Sequence, residues 1–218
     1  FQNIYDQNFF KKNLNLKEKQ ITLIPGSGVK ISDFDFKPIP EGQPVILFAG
    51  RLIKSKGILE FVKASNLIEN ARFVILGKID PESKDAISKN QIKNWTKTYK
   101  VEYWGFSRNI KDAIYKSSIV VLPSYYGEGL PKILIEAAVC GRPVITTYNP
   151  GCIAAIENFK TGLAVPSKDY FSLSSAIDFL IKNPVILNQM GRMGRKRAEK
   201  IYNINNVVNT HLDIYESF

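Results

Sequence analysis

The chain has 218 residues, 44% hydrophobic and 23% charged, with a net charge of +10. That length and balance can build a sizeable core for one large or two small domains and exclude a disordered or fibrous chain. No apolar run is long enough for a membrane-spanning helix and no secretory signal is legible, although the chain begins at Phe1 rather than Met and so reads as a fragment or a processed chain.

The positive balance favours an anionic partner: nucleic acid, acidic lipid headgroups or phosphorylated metabolites. The only cysteines, Cys140 and Cys152, make no metal-ligand spacing and no disulfide framework. A reducing, cytoplasmic setting is the expectation. The only histidine, His211, lies near the end of a terminal helix, so any Ser-His or Cys-His pair would have to use it.

Residues 1–20 are aromatic, amide-rich and lysine-rich, and read as a helix with its flanks. Ile21–Ile24 reads as a short strand ending at Pro25, followed by a Gly26-Ser27-Gly28 turn and a polar linker to Gln43. No dinucleotide fingerprint completes there, because Ile31 occupies the last glycine position, and no Walker A sequence exists. Asp33-Phe34-Asp35 has the form of a D-x-D metal motif, but a structured turn with Phe34 and Phe36 packed inward is the better reading.

From Pro44 the pattern becomes regular. Strands are expected at Val45–Ala49, Phe73–Leu76, Val101–Trp104, Ser118–Leu122, Val144–Thr147 and Gly162–Val165. Helices are expected at 59–68, 84–98, 109–115, 131–141 and 169–182. This alternation predicts an α/β fold: a Rossmann-like parallel sheet of about six strands with helices on both faces. The tail from Asn183 is helical. Its basic run, Gly191 to Arg197, reads as a solvated helix face rather than a nucleic-acid or membrane patch. Asn203 to Phe218 forms an amphipathic helix that docks on something, with Ile204, Val207, Val208, Leu212, Ile214, Tyr215 and Phe218 on its apolar side.

Two loops carry the chemistry. Pro123 to Gly141 reads PSYYGEGLPKILIEAAVCG: a Gly-rich turn, then a helix with Pro131 at its first position. The free N–H groups of that helix point at the carboxyl edge of the sheet, where phosphate binds. Glu128 precedes the helix and Glu136 follows within it. Glu136 can reach back to the helix end and accept two hydrogen bonds from a vicinal diol such as a ribose. The plain alternative is a solvated turn residue and an ordinary surface charge. The second loop, Gly50-Arg51-Leu52-Ile53-Lys54-Ser55-Lys56-Gly57, follows the first strong strand. Arg51 offers a fork for phosphate oxygens and Lys56 a mobile point charge. If strands 45–49 and 118–122 are neighbours, both loops converge on one anion at the switch point.

The spacing G-R-x-x-x-x-K-G at 50–57, together with E-G-L-P-K-I-L-I-E at 128–136 and A-A-V-C-G-R-P-V-I after it, resembles family four glycosyltransferases of the GT-B fold. The resemblance covers nearly the whole chain, includes the G-S-G-V turn at 26–29, and is to the donor-binding C-terminal domain. It implies that residues 1–20 are the end of an absent N-terminal acceptor domain, that 21–202 form the donor domain, and that 203–218 form a helix crossing back. It implies a retaining enzyme with no cofactor and no metal requirement. Arg51 and Lys56 would bind the donor diphosphate, Glu136 the ribose and Glu128 the donor sugar. Gly50, Gly129, Leu130, Pro131, Lys132 and Ile133 would lie along the phosphates. Gly77, Lys78, Trp104, Gly105 and Phe106 would lie near the base.

The stretches P-S-Y-Y-x-E-G-L-P-K and V-I-T-T-x-N-P-G-C most resemble bacterial transferases that build lipopolysaccharide, capsule or lipid-linked oligosaccharides. Those commonly use UDP-linked N-acetylated hexosamines. The implied partners are a nucleotide-sugar donor and a lipid-linked or oligosaccharide acceptor held by the missing half. The basic surface suits peripheral contact with an anionic cytoplasmic membrane face. Rival readings are a sugar-nucleotide epimerase or phosphorylase of the same architecture, a basic nucleic-acid-binding module, and a nucleotide-sugar-binding module without catalysis. No aromatic-basic interleaving on a strand supports nucleic acid.

Overall fold

Short runs of β-branched and aliphatic residues build the sheet. The computed structural model describes residues 1–217 and contains β1 (Val45–Ala49), β2 (Arg72–Leu76), β3 (Val101–Tyr103), β4 (Ile119–Leu122), β5 (Val144–Thr147) and β6 (Gly162–Val165). All are parallel, in the order β3-β2-β1-β4-β5-β6. Every residue of β1, β4 and β5 is buried, because helices cover both faces; this is why these strands read as continuous apolar runs rather than alternating ones. Phe48, Phe61 and Phe73 pack in the core with tilted rings whose centroids are 5.6 and 5.3 Å apart.

The helices are α1 (Ile4–Leu14), α2 (Ile58–Ser65), α3 (Lys89–Thr98), α4 (Ile110–Tyr115), α5 (Lys132–Val139), α6 (Pro150–Ala154), α7 (Tyr170–Lys182), α8 (Pro184–Ile201) and α9 (Ile204–Glu216). α2 packs with α7, and α5 with α8. β1 pairs with β4 in the register Leu47 to Val120, so the strand order reverses between them. That is the switch point where an open α/β sheet receives ligands.

Several local expectations need correction. Ile21–Ile24 is not a strand: Pro25 lacks a donor, Leu23 is exposed, and the segment lies outside the sheet. The helix expected from 84 begins at Lys89, because Ser88 and Gln91 form a capping box that starts it there. Pro131 is the N-cap of α5 rather than its first helical residue. α6 is an element that the apolar pattern did not announce. Phe34 packs against the core, but Phe36 is exposed and lies over Gly141.

The basic run in α8 is not simply a solvated face. Gly191 and Gly194 are buried, Gly191 so close to the Gly141 carbonyl that a Cβ would collide. Arg195 then donates to the Phe34 and Val139 carbonyls at 2.7 Å, and Arg197 to Glu157 at 3.0 Å, while Arg192 and Lys196 remain exposed. In α9 only Val207 is buried; Val208, Leu212 and Tyr215 are exposed, and Phe218 lies outside the described residues. The linker is held by Arg142. Its fully buried guanidinium donates to the carbonyls of Lys37, Pro38, Ile114, Tyr115 and Cys140.

Candidate active site

Three loops meet above the carboxyl edge of β1, β2 and β4. The Gly50–Gly57 loop leaves β1 while still bonded to the sheet, with the Gly50 N–H donating to the Leu76 carbonyl. Gly77 at the end of β2 approaches so closely that a Cβ would collide with the Gly50 carbonyl. Gly57 sits at φ +78°, pressed against the Pro123 carbonyl at the start of the third loop. Both positions need glycine for close backbone approach. The Ser55 carbonyl then accepts the N–H groups of Tyr125 and Tyr126 at 2.9 and 3.0 Å, fastening the first loop to the third.

This brings the charged residues together. Lys56 pairs with Glu128, which also accepts from Ser124 Oγ at 2.9 Å. Arg51 donates to Asp80 Oδ2 at 3.2 Å. The Tyr126 ring lies near both cations, 5.3 Å from the Arg51 guanidinium and 5.4 Å from Lys56 Nζ. A cavity of about 230 Å³ opens beside Arg51, and Lys56 and Glu128 are not part of its lining. Gly50, Arg51, Gly77, Lys78, Phe106, Ile133 and Glu136 all line it. Ile133 and Glu136, three residues apart on α5, present one face to it. Burial raises the Glu136 carboxyl above its ordinary value, and Lys132, with Nζ at 3.9 Å, opposes that. The Lys132 and Ile133 amides are the first two of α5 and have no acceptor within the helix.

Not every expected residue reaches the cavity. The Trp104 indole donates to Glu102 at 3.1 Å and is no part of the lining. Gly105 contributes backbone: at φ +74° its carbonyl accepts the Gly77 N–H at 2.8 Å. The Leu130 side chain is buried against Gly26 and lines a different cleft with Ile4 and Pro25, Pro131 caps the helix, and Gly129 lies in the loop beside Glu128.

The Asp33-Phe34-Asp35 segment faces a wider polar cleft of about 840 Å³ that shares Glu136 with the smaller cavity. Asp33 is paired with Lys30, and the Asp35 N–H donates to the Tyr115 hydroxyl, which makes a held turn. Among the described residues no group of three His, Cys, Asp or Glu side chains could hold a metal ion. His211 donates to the Val207 carbonyl of its own helix. Burial pushes the Cys140 and Cys152 thiols up to about 12 and about 11.

Residues without a sequence signal also shape the site. Asp85 accepts the Ser55 N–H at 2.8 Å and Ser83 Oγ at 2.7 Å, and its carbonyl accepts the Lys54 N–H. Donors from Ser55 and then Ser83 hold its carboxyl down at about 2. Together with the Leu52–Ile79 and Ile53–Ala86 bridges, this makes residues 78–87 a buttress for the Arg51–Lys56 loop.

The family model for glycosyl transferases group 1 matches residues 29–197. The chain belongs to this family. A Campylobacter jejuni N,N'-diacetylbacillosaminyl-diphospho-undecaprenol alpha-1,3-N-acetylgalactosaminyltransferase is 27% identical over 95% of the chain and 57% of that protein. An Escherichia coli UDP-Gal:alpha-D-GlcNAc-diphosphoundecaprenol alpha-1,3-galactosyltransferase is 26% identical over 96% of the chain and 57% of that protein. Sucrose-phosphate synthase from Thermosynechococcus elongatus superposes with a TM-score of 0.86 at 25% identity, covering 98% of this chain and 56% of that one. Anabaena Alr3699/HepE in complex with UDP shares the fold, with a TM-score of 0.88 at 16% identity over 100% of this chain and 63% of that one. The chain thus spans about half the length of the curated relatives it matches. Its parallel sheet and layered helices are those of a GT-B glycosyltransferase domain. Among the described residues no helix is long and apolar enough to cross a membrane.

Proposed function

We propose that the chain binds a nucleoside diphosphate sugar, UDP-linked, as the donor half of a retaining glycosyltransferase. The observation that carries this reading is that Arg51, the first turn of α5 and Glu136 line one cavity, with Lys56 at the other end of the Arg51 loop beside Glu128. The cavity, about 230 Å³, suits a nucleoside between the Gly77–Lys78 backbone and Phe106. Glu136 accepts the ribose hydroxyls, the two cations and the free amides take the diphosphate, and Glu128 meets the sugar.

In the reaction the bond from the anomeric carbon to the diphosphate oxygen breaks, and its electron pair leaves with the diphosphate. Charge gathers where Arg51, Lys56 and the helix end stand, and each such preorganised donor is worth roughly 2–4 kcal/mol. The departing phosphate oxygen takes the proton of the acceptor hydroxyl as the new carbon–oxygen bond forms on the same face, so retention needs no separate base. The diphosphate charge is met by these groups without a divalent ion. The acceptor is a lipid-linked or oligosaccharide glycan held by a second domain, in keeping with relatives named for diphospho-undecaprenol acceptors. The basic surface holds the assembly against an anionic membrane face.

Calorimetric titration with UDP, GDP and ADP, with and without Mg²⁺, tests this. UDP binding that is metal-independent and weakened in Arg51→Ala and Glu136→Ala is the expected result. Preference for GDP or ADP, or a strict need for Mg²⁺, would overturn the donor assignment.

A further inference from the structure

The loop that carries Glu128 is gripped from behind by residues far from it in sequence. Asn3 is only 2% exposed. Its Nδ2 donates to the Gly129 carbonyl and to Asp6 Oδ2, each at 2.7 Å, while its Oδ1 accepts the Asp6 N–H at 2.8 Å. Both amide donors of a buried side chain are therefore committed, one of them across the fold to the loop. Gln2 lies over the same place, so close that a Cβ on Gly129 would collide with its side-chain amide. From the other side Gly151 of α6 backs onto the Glu128 and Gly129 carbonyls, leaving no room for a Cβ of its own. The Glu128–Gly129 backbone is clamped between α6 and the residues that open α1.

We propose that Gln2 and Asn3 are positioning residues for the sugar end of the donor site. They fix the Gly129 backbone, and through it the aim of the Glu128 carboxylate, whose front is set by Lys56 and Ser124. The inference rests on the donor-site reading above. It also divides that site in two. None of residues 1–3 lines the cavity assigned to the nucleoside, which is built from loops of the sheet edge and α5. The nucleoside diphosphate is read by those loops alone, whereas the sugar is read by a loop whose position depends on the start of α1.

The test is calorimetric titration of the chain with UDP and with UDP-glucose, UDP-galactose and their N-acetylated counterparts. The unaltered protein is compared with Asn3→Ala, Gln2→Ala and Asp6→Ala. Asp6→Ala removes the carboxylate that accepts the other Asn3 amide N–H and the acidic charge in the first turn of α1, but keeps its backbone N–H on Asn3 Oδ1 and the bond from Asn3 to Gly129, so it reports the loss of local support for α1 without the loss of the clamp. Gln2 is exposed, so its substitution leaves folding intact. In Asn3→Ala the preferred UDP-sugar should weaken about 5- to 10-fold while UDP itself changes by less than about twofold, the scale of one lost hydrogen bond. Gln2→Ala should act in the same direction and less strongly, and Asp6→Ala should leave both ligands within about twofold.

Equal losses for UDP and UDP-sugar in Asn3→Ala, matching losses in Asp6→Ala, or no change would overturn the inference. So would an unaltered chain that binds UDP but gains nothing from any sugar, while the nucleotide reading stood. An unaltered chain that binds neither UDP nor any of the sugars would overturn the donor-site reading itself, and this inference with it.

Discussion

Arg51 and Lys56 stand near the two ends of one loop, yet their surroundings differ. Lys56 and Glu128 keep only 13% and 10% of their side-chain surface exposed, whereas Arg51 and Asp80 keep 50% and 27%. Each is a cation facing a carboxylate, and burial separates them. Water is stripped from both members of the first pair, so each charge depends on the other. Water still solvates the second pair, which makes it weak and exchangeable. The Lys56 end of the loop is framework, and on the donor-site proposal also part of the site. The Arg51 end can release Asp80 when an anion enters.

The largest effect expected from this contrast is on stability. Glu128→Ala leaves Lys56 buried without a counter-charge and should cost about 3 kcal/mol, as when one partner of a buried pair is removed. Asp80→Ala should cost under about 1 kcal/mol. Denaturant midpoints of the two variants measure both, and equal losses would erase the distinction between the ends of the loop. Binding should divide the other way. Arg51→Ala should weaken UDP about 10- to 100-fold with the melting temperature unchanged, the loss of one preorganised donor. Asp80→Asn should tighten UDP about two- to threefold by freeing Arg51 from a competitor. Weaker UDP binding in Asp80→Asn would mean that Asp80 aims Arg51 rather than restrains it.

The same contrast marks what could be read from the sequence. The sheet was legible because strands buried on both faces are continuous apolar runs, and the six strands expected after Pro44 appear within a residue or so of their places, whereas Ile21–Ile24 is no strand. Arg51, Lys56, Glu128 and Glu136 stood out because glycines and a helix start frame them. Asp80 and Asp85 did not, because an acid in a polar stretch looks solvated until its partner loop is known. Asn3 reaches Gly129 across a separation of 126 residues, which no local pattern can announce. The basic run of α8 misled for a related reason. Its inward stripe is Leu187, Met190, Gly191, Gly194 and Ala198, and the two glycines carry no apolar signal, so the arginines flanking them looked more solvated than they are.

Asp85 sharpens the comparison from behind the loop. Its carboxyl is held at about 2, below the ordinary aspartate value near 4. A depressed carboxylate stabilises the fold above its unfolded pKa, and that contribution is lost as pH falls from about 4 through about 2. Acid titration of the unaltered chain should therefore lose stability in that window, and Asp85→Asn should lose less of it while being weaker at neutral pH. Because the buttress carries the whole loop, Asp85→Asn should also weaken UDP by a few-fold, roughly the effect of one charge-assisted hydrogen bond. An Asp85→Asn chain with unaltered UDP affinity would show that the loop holds its shape without this acid.

The smallest expected effect concerns Glu136, whose carboxyl is raised chiefly by burial, with Lys132 opposing. A raised carboxyl takes its proton at a higher pH than an ordinary glutamate, near 4.3. If Glu136 accepts the ribose diol as proposed, protonation costs it one of its two acceptor oxygens. UDP-glucose is the appropriate probe, because its diphosphate has no group that titrates near neutrality. Its affinity should fall a few-fold on acidification, with the acid limb lying at higher pH than an ordinary glutamate would give. Glu136→Gln should be weaker at neutral pH and should lack that acid limb. Lys132→Ala removes the opposing charge, so the acid limb should move to higher pH. A limb that survives in Glu136→Gln would belong to another group, and one that moves to lower pH in Lys132→Ala would show that the lysine does not act on Glu136 through its charge.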